Sequence, residues 1–158
     1  MRDWIAEIYD NRKDELDMFN FHPEDEDDEK ESSYVYAWHI KSESRKYFYI
    51  GKGKGKRYNH ILKEISDYEE NPRKYKGQKY KWLKDEFGIE CEILYEKITE
   101  AESSVLEAYT IITMLEKKEP LLNVILPAAI SDEDSDILEY RDSYFYEKNT
   151  EKFLEYYR

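Results

Sequence analysis

The chain has 158 residues and 19.3 kDa, the size of one ordinary domain or of a small domain with extensions. Its 25 Lys and Arg against 37 Asp and Glu leave a formal net charge of −12, so nucleic acid is not the first expected partner, because phosphate repels a net anion. Hydrophobic residues at 40% and aromatics at 16% exclude wholesale disorder, and a single cysteine, Cys91, excludes an intramolecular disulfide or a cysteine-cluster zinc site.

Trp4, Ile5, Ile8, Tyr9, Leu16 and Phe19 recur at helical spacing, which predicts an amphipathic helix over 3–20 within an N-terminal segment, 1–21. Pro23 and six consecutive acids, Glu24 to Glu29, break that pattern and predict a solvated acidic linker over 22–33. Tyr34-Val35-Tyr36-Ala37-Trp38-His39-Ile40 and Tyr47-Phe48-Tyr49-Ile50 are aromatic and β-branched, the pattern of two strands in a hairpin with 41–46 as its loop. Gly51, Gly53 and Gly55 are expected to end the second strand. A helix should start near Arg57, carry Ile61, Leu62 and Ile65 inward and stop before Pro72. A second short helix fits 80–87, closed by Gly88, and a third strand fits 89–98. Thr99 and Glu102 then form an S/T-x-x-E capping box, opening a helix that Lys117, Lys118 and Pro120 terminate. After a short apolar segment at 121–126, one or two tyrosine-rich helices are expected in a C-terminal extension, 128–158.

No apolar run reaches the length of a membrane span, and Met1-Arg2-Asp3-Trp4 lacks a signal-peptide pattern, so a soluble, cytoplasmic protein without membrane contact is expected. The average charge conceals a distribution. Residues 1–40 carry −9, residues 41–84 carry +9 and residues 85–158 carry −12. Charge acts over about 8 Å at physiological salt, so the basic middle decides whether phosphate is attracted there. Nucleic acid is therefore readmitted as a partner.

Gly51-Lys52-Gly53-Lys54-Gly55-Lys56-Arg57 lies at the centre of that stretch. It is not a Walker A loop, since Arg57 and Tyr58 follow Gly55-Lys56 where Ser or Thr is required, and the third glycine comes one residue early for a dinucleotide fingerprint. Glycine-freed backbone N–H groups, several cations and a helix start in one place favour an anion, here a phosphodiester.

These residues resemble the GIY-YIG nucleases. The YIG half is literal at Tyr49-Ile50-Gly51, and the GIY half is degenerate at Tyr34-Val35-Tyr36, with tyrosine where the family has glycine. Arg57 is similar to the family's catalytic arginine on the first helix, and His60 to the His or Tyr one turn later, at a spacing of three residues instead of the more usual four. Glu107 in Ser104-Val105-Leu106-Glu107-Ala108-Tyr109 looks like the metal-binding glutamate, and Asn123 like the late asparagine. The resemblance covers 34–127.

It implies an α+β domain, a small three-stranded antiparallel sheet flanked by helices, with helical extensions at both ends. It also implies a metal-dependent endonuclease that hydrolyses DNA phosphodiester bonds, with Mg²⁺ or Mn²⁺ on Glu107. On that reading Tyr36 or Tyr49 is the general base, and the residues do not choose between them. A phenol needs a neighbouring cation to favour its phenolate, and Lys52 and Arg57 are placed to supply it. Arg57 would also clamp the phosphate, and Asn123 would position the metal-binding carboxylate or a water. Glu102 competes with Glu107 as metal ligand but has the capping box to serve. Lys54, Lys56, Arg73, Lys74, Lys76, Lys79 and Lys81 are candidate DNA-binding residues that add affinity without reading sequence. Trp82 is expected in the core, and His22 and His39 are expected to be structural.

Two other readings stay open. One is a nuclease-derived module that binds DNA or protein without cutting. The other is a protein-binding partner acting through the acidic, tyrosine-rich termini, whose helices also offer a surface for a second copy. The acidic run 24–29 is further expected to compete with DNA for the basic stretch.

Overall fold

The computed structural model describes residues 1–17, 30–124 and 135–158. Three strands, β1 (Ser33–Ile40), β2 (Tyr47–Lys54) and β3 (Ile89–Ile98), form an antiparallel sheet in the order β2-β1-β3. The fold is α+β, as expected. The central strand is covered on both faces and all eight of its residues are buried, which is why its composition is so uniformly aromatic and aliphatic.

Strand alternation sorts β1 into two cores. On one face Val35 and Ala37, with Ile50 of β2, meet α1 (Asp3–Asn11), α2 (Lys13–Asp17) and α5 (Glu100–Glu116) through Ile5, Leu16, Val105 and Ile112. On the other face Tyr34, Tyr36, Trp38 and Ile40 meet α3 (His60–Glu70), α4 (Gln78–Phe87), α6 (Ser135–Phe145) and α7 (Thr150–Glu155) through Ile61, Ile65, Leu83, Tyr144 and Phe153. The register steps from Trp38↔Tyr49 to His39↔Tyr47, leaving Phe48 as a bulge. The extra residue lets Phe48 and Tyr49 both pack toward the second core.

Several expectations are revised. The predicted helix 3–20 is two helices, because Arg12 leaves the helical conformation and its guanidinium ties Glu15 and Glu116 instead. Residues 18–29, and with them Phe19, His22 and the acidic run, lie outside the described residues, as do 125–134. The glycines do not end β2: Gly51 and Gly53 pair with Tyr36 and Tyr34, and the strand continues through Lys54. The predicted capping box is present, with Thr99 Oγ1 accepting from the Glu102 N–H and Glu102 accepting from the Thr99 N–H. Among the described residues no helix is long and apolar enough to cross a membrane.

Candidate active site

The site lies on the second face of the sheet and starts with two tyrosines on adjacent strands. Tyr36 on β1 and Tyr49 on β2 place their ring centroids 6.2 Å apart. Gly51 lies opposite Tyr36, and a Cβ there would fall 2.5 Å from the Tyr36 phenol. Gly53 does the same for arginine, since its Cβ would fall 2.5 Å from Arg57 Cβ. The two glycines are thus a backbone floor on which Tyr36 and Arg57 rest. Tyr34, standing where the resemblance has glycine, donates to the Gly55 carbonyl at 2.9 Å and accepts from the Tyr58 N–H at 3.0 Å. It pins the turn that carries Arg57.

Arg57 opens a 3-10 turn, Arg57–Asn59, and His60 begins α3 behind it. A 3-10 turn has three residues, so side chains at i and i+3 share one side. This accounts for the short Arg57-to-His60 spacing. His60 Nδ1 lies 2.9 Å from the Tyr36 hydroxyl, and its ring is 4.7 Å from that of Tyr49.

Glu107 reaches the site from α5, past the outer edge of β2, where the Lys52 backbone N–H and ammonium both favour its charged form. That edge is otherwise occupied by the segment after α5. The Leu122 N–H donates to the Phe48 carbonyl at 2.6 Å. Asn123 accepts from the Ile50 N–H at 3.1 Å and donates to its carbonyl at 2.7 Å. Asn123 was expected to hold the metal-binding carboxylate or a water. Its buried amide is spent instead on completing the edge of β2. Glu102, the rival ligand, is 1% exposed and takes up the Arg2 backbone N–H at 2.9 Å as well as its guanidinium. Burial opposes its charge, but the bonds from Thr99 and Arg2 win and hold its carboxyl below the ordinary range.

Electrostatics revise the expected tyrosine chemistry. Burial raises Tyr36 far above the usual phenol range and Tyr49 to about 12; the Glu107 charge adds to both, and Arg57 only partly offsets it. Lys52 does not act on the phenols as expected. Its ammonium donates to Ser104 Oγ at 2.5 Å and it acts on Glu107. Burial and the Arg57 charge lower His60 below the ordinary histidine value, so its imidazole is neutral at pH 7. A neutral imidazole in contact with Tyr36 can accept the proton that the phenol cannot lose to water.

Burial also pushes Glu107 up to about 7. A partly buried carboxylate held by little more than one lysine is a hard oxygen donor in want of a cation. It fits an ion of the magnesium type, which keeps several waters and takes one or two carboxylates plus substrate phosphate. Among the described residues no cluster of three His, Cys, Asp or Glu side chains forms a fuller cage.

One participant was missed in the sequence. Glu64 lies one helical turn after His60 on α3. Burial raises its pKa, and it lies within electrostatic reach of Arg57, Lys76, Tyr49 and Tyr80. The i, i+4 spacing from His60 was the available signal.

The basic residues separate into two groups. Lys54, Lys56, Arg73, Lys74 and Lys76 are exposed, Lys54 lying 3.4 Å from Glu100. Lys79 is instead half-buried, donates to the last carbonyls of α6 at Tyr144 and Phe145, and sits over the Phe145 and Phe153 rings. Burial lowers it to about 8. It fastens α6 to α4, a role that removes it from the phosphate contacts. Lys81 pairs with Asp85 at 3.1 Å. Trp82 packs on Phe153, and buried His39 donates from Nδ1 to the Ile40 carbonyl at 2.8 Å, both structural as expected.

No family model, curated protein or solved structure matches the chain.

Proposed function

We propose that this chain is a metal-dependent DNA endonuclease of the GIY-YIG type, acting on phosphodiester bonds in the cytoplasm. The observation that carries the proposal is convergence: Tyr36, Tyr49, Arg57, His60 and Glu107, drawn from two strands, the turn before α3, α3 and α5, share one electrostatic neighbourhood at β2.

In this reading water attacks phosphorus and the P–O bond to the leaving sugar breaks. The attacking water gives a proton to the Tyr36 oxygen as Tyr36 passes its own to His60 Nδ1, so a free phenolate never accumulates. Tyr49 packs its tilted ring against His60 and keeps the imidazole in place. Arg57, exposed on its turn, binds the non-bridging oxygens as negative charge grows on them. Glu107 would hold one Mg²⁺ or Mn²⁺, whose charge stabilises the leaving oxygen. Lys54, Lys56, Arg73, Lys74 and Lys76 supply sequence-independent phosphate contacts.

Supercoiled plasmid incubated with the protein and Mg²⁺ or Mn²⁺ should be nicked or linearised. Arg57→Ala should slow that cleavage ~10²–10³-fold, the range for losing one preorganised charge-stabilising donor. Cleavage equal in wild type and Arg57→Ala, or absent from both, refutes the proposal; binding without cleavage points to the non-cutting module instead.

A pH profile tests the proton path. Activity should fall as the pH drops through the lowered His60 pKa, because the protonated imidazole has no lone pair for the Tyr36 proton. His60→Gln should lose ~10²–10⁴-fold in rate and flatten that acid limb. A variant with an unchanged profile would exclude His60 as the acceptor.

A further inference from the structure

The segment between α3 and α4 presents an aromatic side chain to water. Tyr75 is 74% exposed, and its neighbours Arg73, Lys74 and Lys76 are exposed as well. Isolated apolar side chains at a surface are ordinary. Here, however, the neighbours of the ring along the chain are three exposed cations, and the turn beneath it is held firmly.

Asn71 starts the turn, its side chain accepting from the Arg73 N–H at 3.1 Å and its carbonyl from the Lys74 N–H at 2.9 Å. Tyr75–Gly77 then forms a 3-10 turn leading into α4. Gly77 is buried against α3 so closely that a Cβ would overlap the Glu64 carbonyl. Gln78 bonds the Tyr68 hydroxyl at 3.2 Å, a second tie to α3. The ring is thus projected from a fixed support. The place is also telling, because the Glu64 carbonyl on which Gly77 packs lies one helical turn along α3 from His60 of the candidate active site.

An exposed aromatic ring among cations has the chemistry of a stacking platform for an unpaired base whose backbone the cations hold. A base within intact duplex has both faces stacked already and gains nothing from such a ring. We propose that Tyr75 is a nucleobase-stacking site for single-stranded DNA adjoining the cut, flanked by Arg73, Lys74 and Lys76. This rests on the endonuclease reading and deepens it: the substrate becomes DNA with an unpaired segment beside the scissile bond.

The test is metal-free binding of a fluorescein-labelled single-stranded oligonucleotide and of its blunt duplex, by anisotropy. Tyr75→Ala should weaken single-strand binding roughly 5- to 100-fold, the range for losing one base–aromatic stack, and weaken duplex binding far less. Tyr75→Trp should restore it. Tyr146→Ala, removing another exposed aromatic on a different element, serves as the control and should change neither affinity. A 2-aminopurine base in the single strand should be quenched by wild type and by Tyr75→Trp but not by Tyr75→Ala.

Equal single-strand affinities for wild type and Tyr75→Ala, or no single-strand binding at all, overturn the stacking site. An equal loss of single-strand and duplex affinity in Tyr75→Ala overturns it too. Failure of plasmid cleavage is read in a separate assay, so loss of the endonuclease reading and loss of the stacking site are distinguishable.

Discussion

Glu107→Gln is expected to slow metal-dependent cleavage while making the protein more stable at pH 8. The two effects have one cause. Burial raises the Glu107 carboxyl to about 7, so the fold carries a penalty for ionising it. A carboxyl raised in this way contributes stability that is fully present below its unfolded pKa and is lost as the pH rises through about 7. Glutamine keeps an oxygen for the Lys52 N–H but carries no charge. Its advantage should be nil near pH 4, open between pH 5 and 7, and level off above. At pH 8 it should amount to about 1–3 kcal/mol, since each pKa unit is worth about 1.4 kcal/mol. Denaturant melts at pH 4 and pH 8 measure it, beside plasmid cleavage that should fall ~10²–10³-fold. A stabilised variant that still cleaves at the wild-type rate would dissociate Glu107 from the chemistry.

Gly51→Ala should damage both the fold and the chemistry, for a reason specific to this site. The added methyl would lie 2.5 Å from the Tyr36 phenol, and that ring cannot swing aside. It is 1% exposed, packed beside Tyr34 and Tyr49, with its hydroxyl engaged by His60. Relief requires the ring or the strand to shift, which in a packed core costs about 1–3 kcal/mol. Either shift opens the Tyr36–His60 contact, and a misplacement of about 1 Å in a reacting group costs ~10²-fold in rate. Thermal melts and cleavage rates measured together should show both losses. A variant with normal stability and normal cleavage would contradict the packing of Tyr36 over this glycine.

Much of the fold was legible because its signals are local. The aromatic alternation from Tyr34 to Ile40 reports a strand with two covered faces. Thr99 and Glu102 report a helix start at the residues where it occurs. What escaped depends on partners distant in the chain. The bulge at Phe48, which turns Tyr49 toward the Tyr36 face, is a matter of register, and register is set by pairing. The 3-10 turn at Arg57 needs Tyr34 to pin it. The environment of the phenols came out opposite to expectation because burial, which a linear pattern does not report, outweighs the nearby arginine. Lys79 looked like its exposed neighbours until α6, 65 residues on, supplied the carbonyls that claim it.

The occupied outer edge of β2 has a consequence for assembly. Leu122, Asn123 and Glu107 take up the backbone groups of Phe48, Ile50 and Lys52 that a neighbouring strand would otherwise pair with. The sheet therefore cannot grow on the side that carries the candidate active site, and no second chain can add a strand there without first evicting Asn123. Its other border, β3, is ten residues long and bears Glu90, Glu92 and Glu96. Two copies brought edge to edge along β3 would oppose acid to acid. The domain is closed to strand exchange on one side by satisfied hydrogen bonds and discouraged from it on the other by charge, which leaves the candidate active site unobstructed by self-association through the sheet.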